Sequence, residues 1–291
     1  MENVTDKIDE AAICEIVYRE RNRPIQIWRQ TLQTSRPYPS HWHEELEINA
    51  VFWGGVEYCV GGRQIEVTGE GFCLVNSREV HSAKRVYGGE GVRKKDEILG
   101  LTILVSHEFM ESLLPDYRHI FFRIDREEDR KDIFDRFLQM REICMEGPKE
   151  LSQEFRNVGL VCEILSILCA RCSHPLEDID INHQKNDERI RIILEYIHTH
   201  SDEPLQQQKL ADNFYFSRGY FASFFKKYTG KTFKQYLVDL RLQNAEKMLL
   251  ETRQSISQIA QDTGFSDERR FIENFKQQYG VTPGAYRRQQ G

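Results

Sequence analysis

The 291-residue chain lacks the marks of several protein classes. Its most apolar segment, Val158 to Cys169, is interrupted by Glu163 and falls well short of the roughly 20 apolar residues a helix needs to cross a bilayer. No N-terminal stretch joins a basic start to an apolar run, so neither a secretory signal nor a membrane partner is expected, and the chain reads as cytoplasmic. The seven cysteines are odd in number and lack framework spacing, which excludes a disulfide-stapled secreted domain and fits reduced thiols. Cys169-Ala170-Arg171-Cys172 has C-x-x-C spacing but no second pair, and it sits in a helical pattern, so it reads as a helix face.

What is present describes a globular chain. Hydrophobic residues make up 40% and aromatics 11%, enough at this length for two domains that each bury a core. The net charge of −6 is unevenly spread: residues 1–183 hold 23 Lys/Arg against 33 Asp/Glu, net −10, while residues 184–291 hold 17 against 13, net +4. A basic C-terminal part on an acidic chain suits an approach to phosphates, because cationic contacts supply most sequence-independent affinity for DNA. The surplus is modest and supports such a partner without establishing it.

Residues 1–35 alternate weakly through Ile25, Ile27 and Trp28 and read as strands. From Tyr38 to Leu104, short runs at Leu46–Ile48, Val56–Val60, Gln64–Val67 and Phe72–Val75 are separated by Gly54-Gly55, Gly61-Gly62 and Gly69-Glu70-Gly71. Short strands with glycine turns predict a barrel or jelly roll. Gly88 to Gly91, followed by Arg93-Lys94-Lys95, reads as an exposed loop. The period then changes. Glu127 to Met145 places Ile133, Phe134, Phe137, Leu138 and Ile143 on one helical face, and Leu151 to Cys172 is a second helix, apolar on nearly every side in its later half. Such a helix wants cover on more than one side, part of which a second copy of the chain can supply. Pro175 to Lys185 has no apolar period and reads as a linker, with a helix beginning near Asn186-Asp187.

Two helix-turn-helix patterns follow, about fifty residues apart. The first runs Lys209-Leu210-Ala211-Asp212, Phe216-Ser217-Arg218-Gly219-Tyr220-Phe221, Phe224-Phe225-Lys226-Lys227 and Gly230; the second runs Ile256-Ser257-Gln258-Ile259-Ala260, Gly264-Phe265-Ser266-Asp267, Phe271, Phe275-Lys276, Gly280, Pro283 and Tyr286-Arg287. Each is a short helix with an Ile/Leu-Ala pair, a tight turn, and a helix opening on Ser or Asp. That is how a recognition helix is presented to a major groove. Phe233 to Leu250 reads as the joining helix, and Arg241-Leu242 with Ala245 matches an R-L-x-x-A signature. Two such units in tandem resemble the DNA-binding domain of AraC/XylS-type transcription regulators.

The resemblance assigns base-facing positions to Gly219, Ala222 and Ser223 in the first unit and to Glu268, Arg269, Arg270 and Glu273 in the second. The first set is small and chemically weak. The second can read bases, since Arg bridges O6 and N7 of guanine and Glu accepts from a cytosine amine. The family often has Ser-Tyr where this chain has Arg269-Arg270, and Arg where it has Glu273, which implies an operator of its own. Ser217, Lys226, Lys227, Lys231, Lys276 and Arg287 are the candidate phosphate contacts.

Near the N-terminus, His41-Trp42-His43, Glu47 and Gly54 fit H-x-H-x(3)-E-x(6)-G, and His81 follows Gly71. This resembles a metal-binding cupin and the sensory domain attached to many AraC-like regulators. Alternation on a strand turns His41 and His43 to one side. Three imidazoles and a carboxylate suit a first-row divalent metal, the one candidate cofactor. Asn76-Ser77-Arg78-Glu79 stands where a second cupin motif has P-x-G, so effector-pocket and structural roles remain open for the same four residues. Trp42, Trp53 and Tyr58, with Glu47, are candidates to line a sugar pocket, against an ordinary core role.

The expected fold class is α+β with two domains: a cupin-like β-barrel sensor over 1–125, a helical dimerisation pair over 126–174, a linker over 175–185, and an all-α double helix-turn-helix domain over 186–291. The expected function is a small-molecule-responsive regulator bound to double-stranded DNA as a homodimer. The resemblance implies RNA polymerase as partner, activation as the usual sign, and carbohydrate-related effectors. The alternative is a metal-dependent cupin enzyme or metal sensor with a DNA-binding tail; no second catalytic group supports the enzyme.

Overall fold

The computed structural model describes residues 23–31, 38–86, 97–146, 151–178 and 181–290. The strands expected before residue 23 and the glycine-rich loop from Gly88 lie outside them. The chain divides into two compact units, one built on Trp42–Asp187 and the other on Glu188–Gly291 together with Pro39–His41.

Among the described residues eight strands come first: β1 (Ile25–Gln30), β2 (Tyr38–His41), β3 (Leu46–Val51), β4 (Gly55–Val60), β5 (Arg63–Thr68), β6 (Gly71–Val75), β7 (His81–Val86) and β8 (Gly100–Val105). They form two four-stranded sheets, ordered β1-β8-β3-β6 and β2-β7-β4-β5. The strand pattern thus gives two sheets rather than a closed barrel, since no ladder joins them among the described residues. The β4–β5 hairpin shows how sequence sets register. Val60 pairs with Arg63, leaving Gly61 and Gly62 as a two-residue loop with φ of 52° and 74°. A type I′ turn needs positive φ at both positions, and glycine supplies it without a Cβ clash.

Period-two alternation on β3 divides its side chains between two layers. Leu46, Ile48 and Ala50 join Leu101, Ile103 and Val105 of β8 in a core shared with three helices: α1 (His107–Leu113), α2 (Glu127–Met145) and α3 (Leu151–Arg171). Val51 turns the other way and joins Cys73 and Val75 of β6 with Val56, Tyr58 and Val60 of β4. The β3 sheet is therefore covered on both faces, and Glu47 and Asn49 share the inter-sheet face with Val51. A short ladder, β9 (Ile120–Phe122) with β10 (Ser173–Pro175), closes the unit.

Asn76 explains the departure from the cupin motif. Its amide clamps β9, accepting from Phe122 N at 2.8 Å and donating to Phe122 O at 3.1 Å. Arg78 takes a left-handed φ of 67° in this turn, and Glu79 accepts from Asn76 N at 3.0 Å.

The linker expected over 175–185 is largely ordered. Pro175 ends β10, Leu176–Asp178 form a 3-10 turn, and α4 (Ile181–Thr199) begins five residues before the expected start. Its opening residues Asn182, His183 and Gln184 are polar, and a polar helical turn has no apolar period to announce it.

The second unit continues with α5 (Gln207–Asn213), α6 (Arg218–Thr229), α7 (Phe233–Glu251), α8 (Ile256–Asp262), α9 (Glu268–Tyr279) and α10 (Pro283–Gln290). Phe221, Phe225, Phe271 and Phe275 are fully buried, each worth roughly 1.5–3 kcal/mol of transfer free energy. Thr232 and Gln235 form a reciprocal capping box at the start of α7, satisfying two otherwise orphaned amides. Pro283 opens α10, where its missing N–H costs nothing.

Candidate functional site

Helices α6 and α9 are built alike. The side chain of Ser217 caps α6 by accepting from Tyr220 N, and Gly230 ends it at φ 69°. Asp267 caps α9 by accepting from Arg269 N at 2.9 Å, and Gly280 ends it at φ 78°. Phe221, Phe224 and Phe225 face inward on α6, as Phe271 and Phe275 do on α9. The opposite faces are exposed: Gly219, Ala222, Ser223 and Lys226 on the first helix, and Glu268, Arg269, Arg270, Glu273 and Lys276 on the second. All seven residues expected to face bases thus lie on solvent-exposed positions.

The two exposed faces differ in chemistry. Ser223 Oγ turns back onto the carbonyls of Gly219 at 3.0 Å and Tyr220 at 3.1 Å, which leaves α6 nearly featureless there. On α9, Arg269 Nε donates to Glu273 Oε1 at 3.0 Å, and Arg270 stands 3.9 Å from the Asp267 carboxylate.

The cations expected at phosphates separate into two sets. Lys226, Lys227 and Lys276 are exposed beside the two helices. Lys231 pairs with Asp239 at 2.5 Å, and Arg287 donates to Leu249 O and Gln254 O at 3.2 and 2.8 Å, capping the end of α7. Arg241 likewise donates to Ser201 O and Glu203 O, both at 2.7 Å, and so holds the turn after α4. Sequence reasoning missed Glu246, which accepts from the hydroxyls of Tyr279 (2.8 Å) and Tyr286 and fastens α9 and α10 to α7. A carboxylate 33 and 40 residues before its two tyrosines has no sequence signature.

In the sheet unit, His43, Glu47 and His81 come together, with a ligand atom from each within 4.8 Å of the others; His41, the fourth residue of the expected set, lies in the segment Pro39–His41 that divides with the helical unit. Glu47 Oε2 lies 2.8 Å from His43 Nε2 and 3.4 Å from His81 Nε2. The outer ring nitrogens face backbone carbonyls, His43 Nδ1 with Glu45 O at 3.2 Å and His81 Nδ1 with Glu79 O at 2.9 Å. A carbonyl accepts only from a protonated nitrogen, so each ring carries a proton on Nδ1 and turns Nε2 to the shared centre, the orientation that metal-binding histidines require. The residues fit a divalent ion. Burial opposes ionisation of Glu47, yet the charge of His81 and the hydrogen bonds from both histidines hold its carboxyl well below the usual range. Burial lowers the His81 pKa, but the Glu47 carboxylate outweighs it and the net shift is upward.

Behind Glu47 runs a chain of polar side chains. Asn49 Nδ2 donates to Glu47 Oε1 at 2.5 Å, Thr102 Oγ1 to Asn49 Oδ1 at 2.7 Å, Gln30 Nε2 to Thr102 Oγ1 at 2.6 Å, and Arg85 Nη2 to Gln30 Oε1 at 2.8 Å. Tyr58 is 2% exposed in the inter-sheet core, and burial foremost raises its pKa. Trp42 and Trp53 are partly buried, with Trp53 O accepting from Arg85 at 3.3 Å.

Comparison with known proteins gives the helical unit its place. Residues 210–289 match the family model described as a helix-turn-helix domain. The HTH-type transcriptional regulator YobQ of Bacillus subtilis is 37% identical over 92 residues, covering 32% of this chain and 38% of YobQ. The regulatory protein PocR of Salmonella typhimurium is 36% identical over 104 residues, covering 36% of this chain and 34% of PocR. Residues 210–289 are a helix-turn-helix domain. The chain spans little more than a third of the length of these two relatives. A further HTH-type regulator of Bacillus subtilis, YdeC, aligns over 280 residues at 21% identity, covering 93% of this chain and 94% of YdeC. The helix-turn-helix domain carries both capped helices described above. No helix among the described residues is long and apolar enough to cross a membrane.

Proposed function

We propose that this chain is a sequence-specific regulator of transcription that binds double-stranded promoter DNA through α6 and α9 and responds to a small molecule bound in its sheet unit. One observation carries the reading: two helices, each capped at both ends and anchored by buried phenylalanines, present exposed faces, and one of those faces bears Arg269, Arg270 and Glu273. In this reading α9 supplies base discrimination, while α6 with Lys226 and Lys227 sets position on the backbone. Activation through RNA polymerase, and a carbohydrate-related effector, follow from the resemblance to AraC-like regulators. The helical pair 126–174 is the proposed dimer contact, with Phe155 (79% exposed) and Met145 (69%) as its exposed apolar groups. The test is selection of bound duplexes from a random-sequence pool by the full chain. Recovery of a repeated motif is expected, and recovery of unselected sequence overturns the reading.

A second reading concerns the sheet unit, because His43 and His81 both present Nε2 to Glu47. Here the unit senses a divalent metal, which would be held by His43, Glu47 and His81 and would tie β3 and β7 together. Equilibrium dialysis against zinc or nickel tests it. One ion per chain, lost on His43→Ala, is expected; no retention removes the metal and leaves the cluster to an organic effector.

A further inference from the structure

We infer that Glu273 does not itself read DNA but is a positioning residue that orders Arg269 for guanine. The inference rests on the proposal that α9 enters the major groove. Arg269 and Glu273 stand four residues apart, one turn along the helix, and are 85% and 61% exposed. The contact uses Nε of the guanidinium. Guanine recognition uses the other end of that group, where two N–H donors span O6 and N7. A carboxylate on Nε therefore leaves the reading end of Arg269 available. It also removes part of the rotamer freedom that a bare arginine loses on binding.

The same carboxylate has a second consequence. Glu273 places a negative charge beside the groove, where the phosphates repel it, and it keeps Arg269 from turning to a phosphate instead. The pair thus lowers affinity for unrelated DNA while preserving the specific contact, which is how discrimination is gained by repulsion. The first helix is a natural control, because Gly219 and Ser223 occupy the matching positions and hold no charge.

The experiment compares the full-length wild-type chain with Arg269→Ala, Glu273→Ala and Glu273→Gln. Each is used to select duplexes from a randomised pool and is titrated against one unrelated 30-base-pair duplex over a range of salt. Arg269→Ala should remove a guanine from the selected motif. Glu273→Ala should lower enrichment of that same guanine roughly tenfold, bind the unrelated duplex several-fold more tightly, and steepen its salt dependence by about one contact as Arg269 reaches a phosphate. Glu273→Gln keeps an acceptor for Nε and should restore part of the guanine enrichment. If Glu273→Ala keeps the guanine and loses a cytosine elsewhere, Glu273 reads a base directly and the inference is overturned. It is also overturned if the selected motif is unchanged. If the wild-type chain selects no motif at all, the regulator reading itself falls, which separates the two failures.

Discussion

Helices α6 and α9 are near copies offset by fifty residues: Ser217 corresponds to Asp267, Phe221 to Phe271, Phe225 to Phe275, Lys226 to Lys276, and Gly230 to Gly280. Caps and core are kept, yet Gly219 and Ser223 stand against Arg269 and Glu273. Folding constrains only the inward stripe and the two ends of each helix, so the outward stripe is free to differ. In both helices a residue turns back on the one four positions earlier, Ser223 to the Gly219 carbonyl and Glu273 to the Arg269 guanidinium. Only the second arrangement leaves donors facing outward.

The turns that precede these helices offer the largest contrast. Each contains a left-handed residue, Tyr215 at φ 59° before α6 and Gly264 at φ 81° before α9. Tyr215 is 97% exposed and its side chain meets no obstruction. A Cβ at Gly264 would lie 2.7 Å from Asp202 O and 2.9 Å from Arg241 Nε. Gly264→Ala therefore combines backbone strain with overlap against a carbonyl and an arginine already holding Ser201 and Glu203, and should cost roughly 3 kcal/mol. Urea unfolding followed by circular dichroism checks this; a loss below about 1 kcal/mol would mean the turn relaxes freely. Gly219→Ala, with nothing near its Cβ, should instead be neutral or stabilising by up to about 1 kcal/mol.

The reading faces give the next largest effects. Arg270→Ala should weaken binding to a selected duplex by about 1–3 kcal/mol and relax preference at one position, as expected for loss of a base contact. Ser223→Ala should change affinity by less than threefold, because its hydroxyl is already spent on α6 carbonyls. Fluorescence anisotropy on the same duplex measures both. Equal losses at the two sites would erase the proposed division between positioning and reading.

How much of this was legible in the sequence follows the same logic. The two helix-turn-helix units, α2, α3 and α7 emerged within a residue or two, because caps, glycines and apolar periods are local signals. The His43, Glu47, His81 group was legible from spacing, and the structure brings these three together, but His43 lies in the loop between β2 and β3 rather than alternating with His41 along one strand. What escaped depends on partners distant in sequence. The early start of α4 lacks an apolar period, the sheet pairing leaves the expected barrel open, and Lys231 and Arg287 spend their charge on Asp239 and on the end of α7. The polar chain from Arg85 to Glu47 joins four strands through residues that individually look like ordinary strand positions.

The caps supply a smaller, symmetric effect. Ser217→Ala and Asp267→Ala should each cost about 1 kcal/mol, since each removes the acceptor for one orphaned amide. Asp267 also places a negative charge at the positive end of α9 and near Arg270, so its loss should grow slightly in low salt while that of Ser217 should not. Thermal unfolding at two ionic strengths distinguishes them, and identical salt responses would show that the Asp267 charge contributes nothing.

The smallest effect has the opposite sign. Tyr215 occupies a backbone region that a non-glycine residue enters at a cost of order 1 kcal/mol, and its ring buries almost nothing in return. Tyr215→Gly should remove that strain at the expense of greater freedom in the unfolded chain, for a net gain of a few tenths of a kcal/mol. A residue that weakens its own turn while standing fully in solvent beside the N-terminus of α6 is better explained by binding than by folding. The decisive comparison is therefore stability against duplex affinity in one variant. A Tyr215→Gly chain that unfolds later and binds DNA more weakly assigns the side chain to the interface. One that unfolds later and binds equally well leaves Tyr215 without a role in either unit.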